Sequence, residues 1–339
     1  MEPEGRTVGK MNKILSIVVP SYNVEAYLDR CLDSFVVPEL LNDVEVLVID
    51  DDSRDGTAEI ARSYCERYPN TFFLYSKENG GHGSTINAGI RAATGKYYRV
   101  VDGDDWLNSA ELLKFVETLR SLDADVVASD FQSVRDGTFE VMKDYPCVDA
   151  PELYGTTVDL TRTEISKVVK MHSLTIKTAI LREHNVTIDE HCFYVDAEYI
   201  TFPMPFVRTV FFYRGFLYQY RLGRSGQSMD IRSMQRNRMQ HMRVLNSLLD
   251  FYSGLGELPP SQMRYIERCI AQVVENQFQI YISMGLQAGI RAELADFDRR
   301  LKKDYPAIGA ATEKKSITLL RATNYLILPV GALVYKLVK

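Results

Sequence analysis

The chain has 339 residues, 46% of them hydrophobic and 25% charged, which is the balance of a folded globular protein and excludes disordered, collagenous and low-complexity classes. Its formal net charge of −5 gives no global field toward nucleic acid, so any anion-binding face must be local. Five scattered cysteines (Cys31, Cys65, Cys147, Cys192, Cys269) form no CxxC pair, which points to free thiols rather than a disulfide frame or a cysteine zinc site.

The first residues, MEPEGRTVGKMNK, carry acids and lack the apolar stretch of a signal peptide, so the expected location is cytoplasmic. From Ile14 the pattern alternates. Ile14–Val19, Val44–Ile49, Phe72–Tyr75, Tyr97–Val101 and Val126–Ala128 are short and rich in β-branched and aromatic residues, as buried strands are. Helical patterns lie between them at Glu25–Phe35, Thr57–Arg67, Ser84–Ala93 and Ala110–Ser121. This alternation predicts an α/β fold with a mainly parallel, Rossmann-like sheet. Further on, Phe131–Pro146 reads as a hairpin or long loop, Thr175–Glu183 and Asp196–Phe206 as helices, and Thr209–Tyr213 and Phe216–Tyr220 as two strands. From about Ser233 to Asp304 the chain is helical, with one break at Leu258-Pro259-Pro260. The expected organisation is an α/β domain over 13–229, a helical region over 230–312 that offers a surface for homo-oligomers, and a tail over 313–339.

From Lys314 to Lys339 that tail has five basic residues (Lys314, Lys315, Arg321, Lys336, Lys339), no acid, and interleaved apolar side chains. A spanning helix needs ~18 or more apolar residues, and Pro329 and Gly331 interrupt this run. Two readings stand side by side: a helix pair lying on an anionic inner leaflet, or a C-terminal helix packed on the protein.

Three segments carry chemistry. Asp50-Asp51-Asp52-Ser53, followed by Asp55-Gly56-Thr57, comes directly after a predicted strand, where ligands of open α/β sheets bind. Carboxylates there accept hydrogen bonds from a base or ribose; alternatively they cap the next helix. Asp102-Gly103-Asp104-Asp105-Trp106 also ends a strand. Three carboxylates in four residues repel one another unless a cation joins them, and Mg²⁺ or Mn²⁺ bridges such groups to substrate phosphates. Asn79–Gly89 is a glycine-rich turn opening a helix, a weak phosphate signal alone.

Ser16–Asn23 (SIVVPSYN), Val48–Thr57 (VIDDDSRDGT), Asn79–Gly89 and Val101–Asp105 (VDGDD) stand in the order and spacing of GT-A-fold family 2 glycosyltransferases, which the chain resembles over roughly residues 13–221. The resemblance implies an inverting glycosyltransferase acting on a nucleotide-sugar, usually a UDP-sugar. Pro20, Tyr22 and Asn23 would line the donor pocket, Asp51 would read the base, and Asp102 and Asp104 would form the DxD motif that meets ribose and metal. The family's Arg before the Asn of the glycine-rich segment is Ile86 here, so Gly81, His82 and Lys77 become candidate donor contacts. The general base falls on Asp196, although the acid that usually precedes it is Val195; Glu198 stands second and, with His172, is assigned to the acceptor side. The run Leu217–Ser228 (LYQYRLGRSGQS) resembles the family's closing motif and assigns Arg224, with Ser225 or Gln227, to the donor diphosphate.

The acceptor would be a glycan or a lipid-linked glycan in cell-surface polysaccharide synthesis, with no nucleic acid involved. Two rivals remain at this level. A nucleotidyltransferase would carry a basic glycine-rich loop after the first strand, where Pro20–Glu25 has no Lys or Arg. A catalytically inactive nucleotide-sugar-binding scaffold would not need Asp102, Asp104 and Asp196 together.

Overall fold

The computed structural model describes residues 13–223, 230–312 and 314–338. The chain divides into two compact units between Arg224 and Ser225.

The first unit is a ten-stranded sheet flanked by helices. Its strands are β1 (Leu15–Ser21), β2 (Val44–Asp50), β3 (Phe72–Ser76), β4 (Tyr97–Val100), β5 (Trp106–Leu107), β6 (Val126–Arg135), β7 (Val141–Tyr145), β8 (Thr157–Asp159), β9 (Leu174–Lys177) and β10 (Thr209–Leu222). The order is β3-β2-β1-β4-β9-β6-β10-β5, with β7 on β6 and β8 on β10. β3, β2, β1 and β4 run parallel, so the chain segments that leave β1, β2 and β4 all emerge at one edge. β1 and β2 are buried along their whole length, which is why they read as continuous apolar runs rather than alternating ones.

The helices of this unit are α1 (Glu25–Asp33), α2 (Thr57–Arg67), α3 (His82–Ala92), α4 (Ser109–Ser121), α5 (Thr178–Glu183) and α6 (Asp196–Thr201). α1 buries Leu28, Cys31 and Leu32, one helical face in the core beside β1. Asn108 caps α4 by accepting the Glu111 N–H at 3.1 Å.

Three expectations are corrected here. Leu174–Lys177 is a strand, inserted antiparallel between β4 and β6, and the helix starts only at Thr178; Leu, Thr and Ile fit a pleated, buried surface better than a helix. The two strands expected over 209–220 are a single strand with a register shift between Tyr213 and Phe216, which absorbs the Arg214-Gly215 pair. The helix expected over 196–206 ends at Thr201 and is followed by a separate turn of 3₁₀ helix at Met204–Phe206, because Pro203 and Pro205 supply no N–H.

The second unit is helical: α7 (Ile231–Arg236), α8 (Arg238–Ser253), α9 (Pro260–Ser283), α10 (Ile290–Asp304), α11 (Pro306–Ala310), α12 (Lys315–Ala322) and α13 (Leu328–Val338). The helices α7, α8, α10, α11 and α13 all pack on the 24-residue α9, which buries Ile266, Ile270, Val274, Phe278 and Tyr281 along one stripe. Pro260 opens α9 at a position where its missing N–H costs nothing. Further breaks fall at Asn237 and at 284–289, beyond the one expected.

Arg321 belongs to this core rather than to a basic surface. It grips the wholly buried Asp298 through Nε and Nη2 (2.8–3.2 Å), while Lys302 and Tyr325 add further donors. Burial opposes the Asp298 charge, but these donors outweigh it and hold its carboxyl below the usual range. No helix among the described residues is long and apolar enough to cross a membrane.

Candidate active site

The parallel edge assembles the sequence motifs. Asp51 follows β2, and its carboxylate is 2% exposed at the residue level. Oδ1 accepts from Lys77 Nζ at 2.6 Å and from the Gly80 N–H at 2.9 Å, and Oδ2 accepts from the Gly81 N–H at 2.8 Å. Gly81 takes φ +80°, a backbone state costly for other residues, to aim that N–H. Asp51 therefore fixes the glycine-rich turn against the end of β2, and Lys77 is committed to Asp51. Oδ2, with a single donor among these contacts, keeps a lone pair for a ligand.

At the end of β1, the Pro20 carbonyl accepts from the Gly103 N–H at 3.1 Å, and a Cβ on Gly103 would press on Pro20, Ser21 and Val24. That close approach lays the Asp102–Asp105 turn across β1. Tyr22 is 50% exposed, and Asn23, at φ +52°, accepts the Arg54 N–H through Oδ1, tying the loops after β1 and β2 together.

The three acids of the VDGDD turn are not equivalent. Ligand oxygens of Asp102, Asp104 and Asp105 lie within 4.8 Å of one another. Asp105, however, is buried and accepts from Tyr218 Oη at 2.6 Å and from the Arg221 N–H at 2.7 Å. Burial, with the charges of Asp104 and Asp102, pushes its carboxyl well above the usual range. The partly exposed Asp102 and Asp104 are left to face a cation, and two hard carboxylates at such spacing fit Mg²⁺ or Mn²⁺. Arg221 braces the turn through Nε to the Asp104 carbonyl at 2.6 Å and pairs with Asp136 at 2.8 Å.

His82 opens α3 and meets Asp102 Oδ1 through Nε2 at 2.9 Å. Burial disfavours its protonation, but the Asp102 charge and hydrogen bond, then Asp196 and Asp104, raise its pKa overall. Asp196 opens α6. Its carboxylate is open to solvent, yet the bulk of protein around it raises its pKa against the pull of His82 and Lys170, and Asp102 adds to the rise. His82, Asp102, Asp104 and Asp196 thus share one electrostatic neighbourhood.

The segment before Asp196 is pinned to α3. Asn87 makes a two-way pair with the Ile188 backbone (Nδ2 to O 2.8 Å, N to Oδ1 2.9 Å), and the Asp189 N–H donates to Glu198 Oε2 at 2.7 Å. The segment turns through left-handed conformations at His191 (φ 55°) and Tyr194 (φ 70°), costly states that persist where surroundings over-determine them. Glu198 is 0% exposed and spends its carboxylate inside this support, which corrects the expectation that it faces an acceptor.

His172 lies on an aromatic wall, its ring centroid 4.9 Å from Phe131, 4.9 Å from Tyr218 and 4.4 Å from Tyr220. Burial lowers its pKa to about 4, so its imidazole is neutral, and its buried Nδ1 has no hydrogen-bond partner. Arg224, Ser225 and Gln227 lie outside the described residues. Sequence reasoning missed the roles of Tyr218, Arg221 and Asn87. Each acts on a partner about a hundred residues away, which local spacing does not reveal.

Comparisons with known proteins bear on the family and the fold. The chain is 36% identical over 121 residues to the uncharacterized glycosyltransferase EpsJ of Bacillus subtilis, a match covering 36% of this chain and 35% of that one. It is 29% identical over 179 residues to the poly(ribitol-phosphate) beta-glucosyltransferase of Bacillus spizizenii, covering 52% of this chain and 27% of that one. The matches thus span about a third or less of these relatives' own lengths. A crystal structure of S. aureus TarS 1–349 in complex with UDP-GlcNAc superposes with a TM-score of 0.61 at 17% identity, covering 96% of this chain and 92% of that one, and so shares the fold, GT-A with a helical C-terminal region. The glycosyl transferase family 2 model matches residues 16–186. The chain is a family 2 glycosyltransferase.

Proposed function

We propose that this enzyme transfers a sugar, with inversion, from a UDP-sugar to a hydroxyl of a glycan or lipid-linked glycan during cell-surface polysaccharide synthesis. The observation that carries the reading is the convergence of Asp102, Asp104, His82 and Asp196 at the strand ends, with Asp51 and the glycine-rich turn beside them.

Asp51 and the loop from Pro20 to Asn23 bind the nucleoside. Asp102 and Asp104 would hold Mg²⁺ or Mn²⁺, which when bound offsets the charge of the diphosphate. His82, on the same side, has its pKa raised by Asp102 and takes up a proton more readily than a free imidazole. Asp196 accepts the proton of the acceptor hydroxyl as its oxygen bonds to the anomeric carbon. The bond from that carbon to the diphosphate oxygen breaks with its electron pair staying on the nucleotide, and a single displacement turns an α-linked donor into a β-linked product. Arg224, which lies outside the described residues, is assigned by the family's closing motif to the diphosphate, and His172 with its aromatic neighbours meets the acceptor. The reaction takes place in the cytoplasm, at the inner face of the membrane.

The test is a panel of UDP-, GDP- and dTDP-sugars with Mn²⁺ or Mg²⁺, reading released nucleotide, with Asp104→Ala in parallel. The reading expects slow hydrolysis of one UDP-sugar and its loss in the variant. Donor binding without turnover, even with glycan acceptors supplied, would favour an inactive scaffold, and binding of no nucleotide-sugar would reject the proposal.

A further inference from the structure

A helix on a protein surface normally turns polar residues to water. α13 does not. Leu328 and Ala332 are buried and Tyr335 Oη accepts from Gln279 at 3.0 Å, so one side is packed within the second unit. On the other side Val330, Leu333 and Val334 are 59%, 52% and 54% exposed, at helical spacing. Leu326, before the helix, and Leu319, on α12, are exposed to a similar degree. A helix apolar on every side is ordinarily enclosed, by protein or by lipid.

Charge decides between the two. From Lys314 to Lys339 the sequence contains no Asp or Glu. Arg321 is spent on Asp298 and Lys314 pairs with Glu275 at 3.4 Å, but Lys315 is exposed, and Lys336 and Lys339 follow the apolar residues in sequence. A two-fold contact between copies of this stretch would bring basic sequence to basic sequence with no acid from the stretch to offset it. An anionic bilayer surface neutralises the same lysines and receives the apolar side chains.

We propose that the exposed apolar side of α13 is a peripheral membrane-docking surface, with Leu326, Val330, Leu333 and Val334 entering the headgroup–acyl boundary of an anionic leaflet and Lys315 of α12 meeting lipid phosphates. The reading of the catalytic site supplies only the choice of leaflet, and docking is measured without substrate, so either claim can fail alone.

The full chain is sedimented at low salt with vesicles of phosphatidylcholine alone or mixed with phosphatidylglycerol. Binding is expected to the anionic vesicles, weakening by about fivefold for Lys315→Ala, and falling tenfold or more for the double variant Val330→Ser, Leu333→Ser. Both variants alter water-facing positions, so circular dichroism melts should match the parent, which separates lost docking from lost folding. Absence of binding to anionic vesicles would overturn the proposal, as would binding that the double variant leaves intact. A concentration-dependent dimer abolished by the double variant, without vesicle binding, would assign the face to a second copy instead.

Discussion

Gly83, in the first turn of α3, is where the support of the site admits least change. An ideal Cβ there would lie 2.0 Å from the Asp189 carbonyl oxygen and 3.1 Å from Ile188 Cγ2. In Gly83→Ala the segment around Asp189 must retreat by about 1 Å before the contact is tolerable. That segment is pinned by both Asn87–Ile188 hydrogen bonds, by Asp189 N–H to Glu198, and by His191 N–H to the Gly80 carbonyl. Losing two of these costs roughly 2 kcal/mol, and the forced repacking adds ~1–3 kcal/mol. Alanine's advantage over glycine within a helix recovers at most ~1 kcal/mol, so the net is about 3 kcal/mol. For a domain of this size that lowers Tm by roughly 6–12 °C. Because the segment leads into Asp196, sugar transfer should fall further than donor affinity. The assay is a circular dichroism melt beside activity, with Gly256→Ala as control, since a Cβ there meets nothing within 4 Å. Melting of Gly83→Ala within about 1 °C of the parent would refute the argument.

Other outcomes follow from the same contacts. Lys77→Met removes the cation from Asp51 but leaves the Gly80 and Gly81 amides, so urea unfolding should show a loss of about 2 kcal/mol; no change would mean that the amides suffice. Asp196→Asn should lower transfer ~10²–10⁴-fold while calorimetry finds donor affinity unchanged. Asp196 works ionised and its pKa is raised, so kcat/KM should fall as pH drops through a value above the usual carboxylate range of about 4. A profile unaltered by Asp196→Asn would remove it as base. Asp298 has the opposite sign: its lowered folded pKa stabilises the helical unit above about pH 4, and that contribution is lost as pH falls through the folded value. Asp298→Asn should therefore melt lower than the parent at pH 7, with the gap narrowing as pH falls below the usual carboxylate range of about 4; a gap independent of pH would contradict the assignment.

What could be read from the sequence followed the range of the forces involved. Strands buried on both faces, such as β1 and β2, announce themselves as apolar runs, and acids at strand ends announce a ligand edge, so the α/β architecture and the Asp51 and Asp102–Asp105 segments were legible. β9 was not, because four residues running straight into a helical pattern gain their strand character from β4 and β6 on either side. The spacing of the DGDD turn offered three carboxylates and the family resemblance chose Asp102 and Asp104, but the physical reason comes from β10, over a hundred residues later, which supplies Tyr218 and the Arg221 amide to Asp105. Glu198, two residues after the candidate base, had the right chemistry for a cleft, but that step carries it to the opposite side of α6, inward to Asp189. Arg321 likewise read as part of a basic tail until Asp298, on another helix, claimed it.

The central claim is a single displacement with Asp196 as base, and its most direct test is the configuration of the sugar as it leaves the enzyme. With the hydrolysed UDP-sugar identified, proton NMR of the freshly released sugar, recorded before mutarotation, distinguishes the outcomes. The account predicts that the β anomer appears first from an α-linked donor and that Asp196→Asn suppresses it. First appearance of the α anomer would mean retention, and would contradict the account.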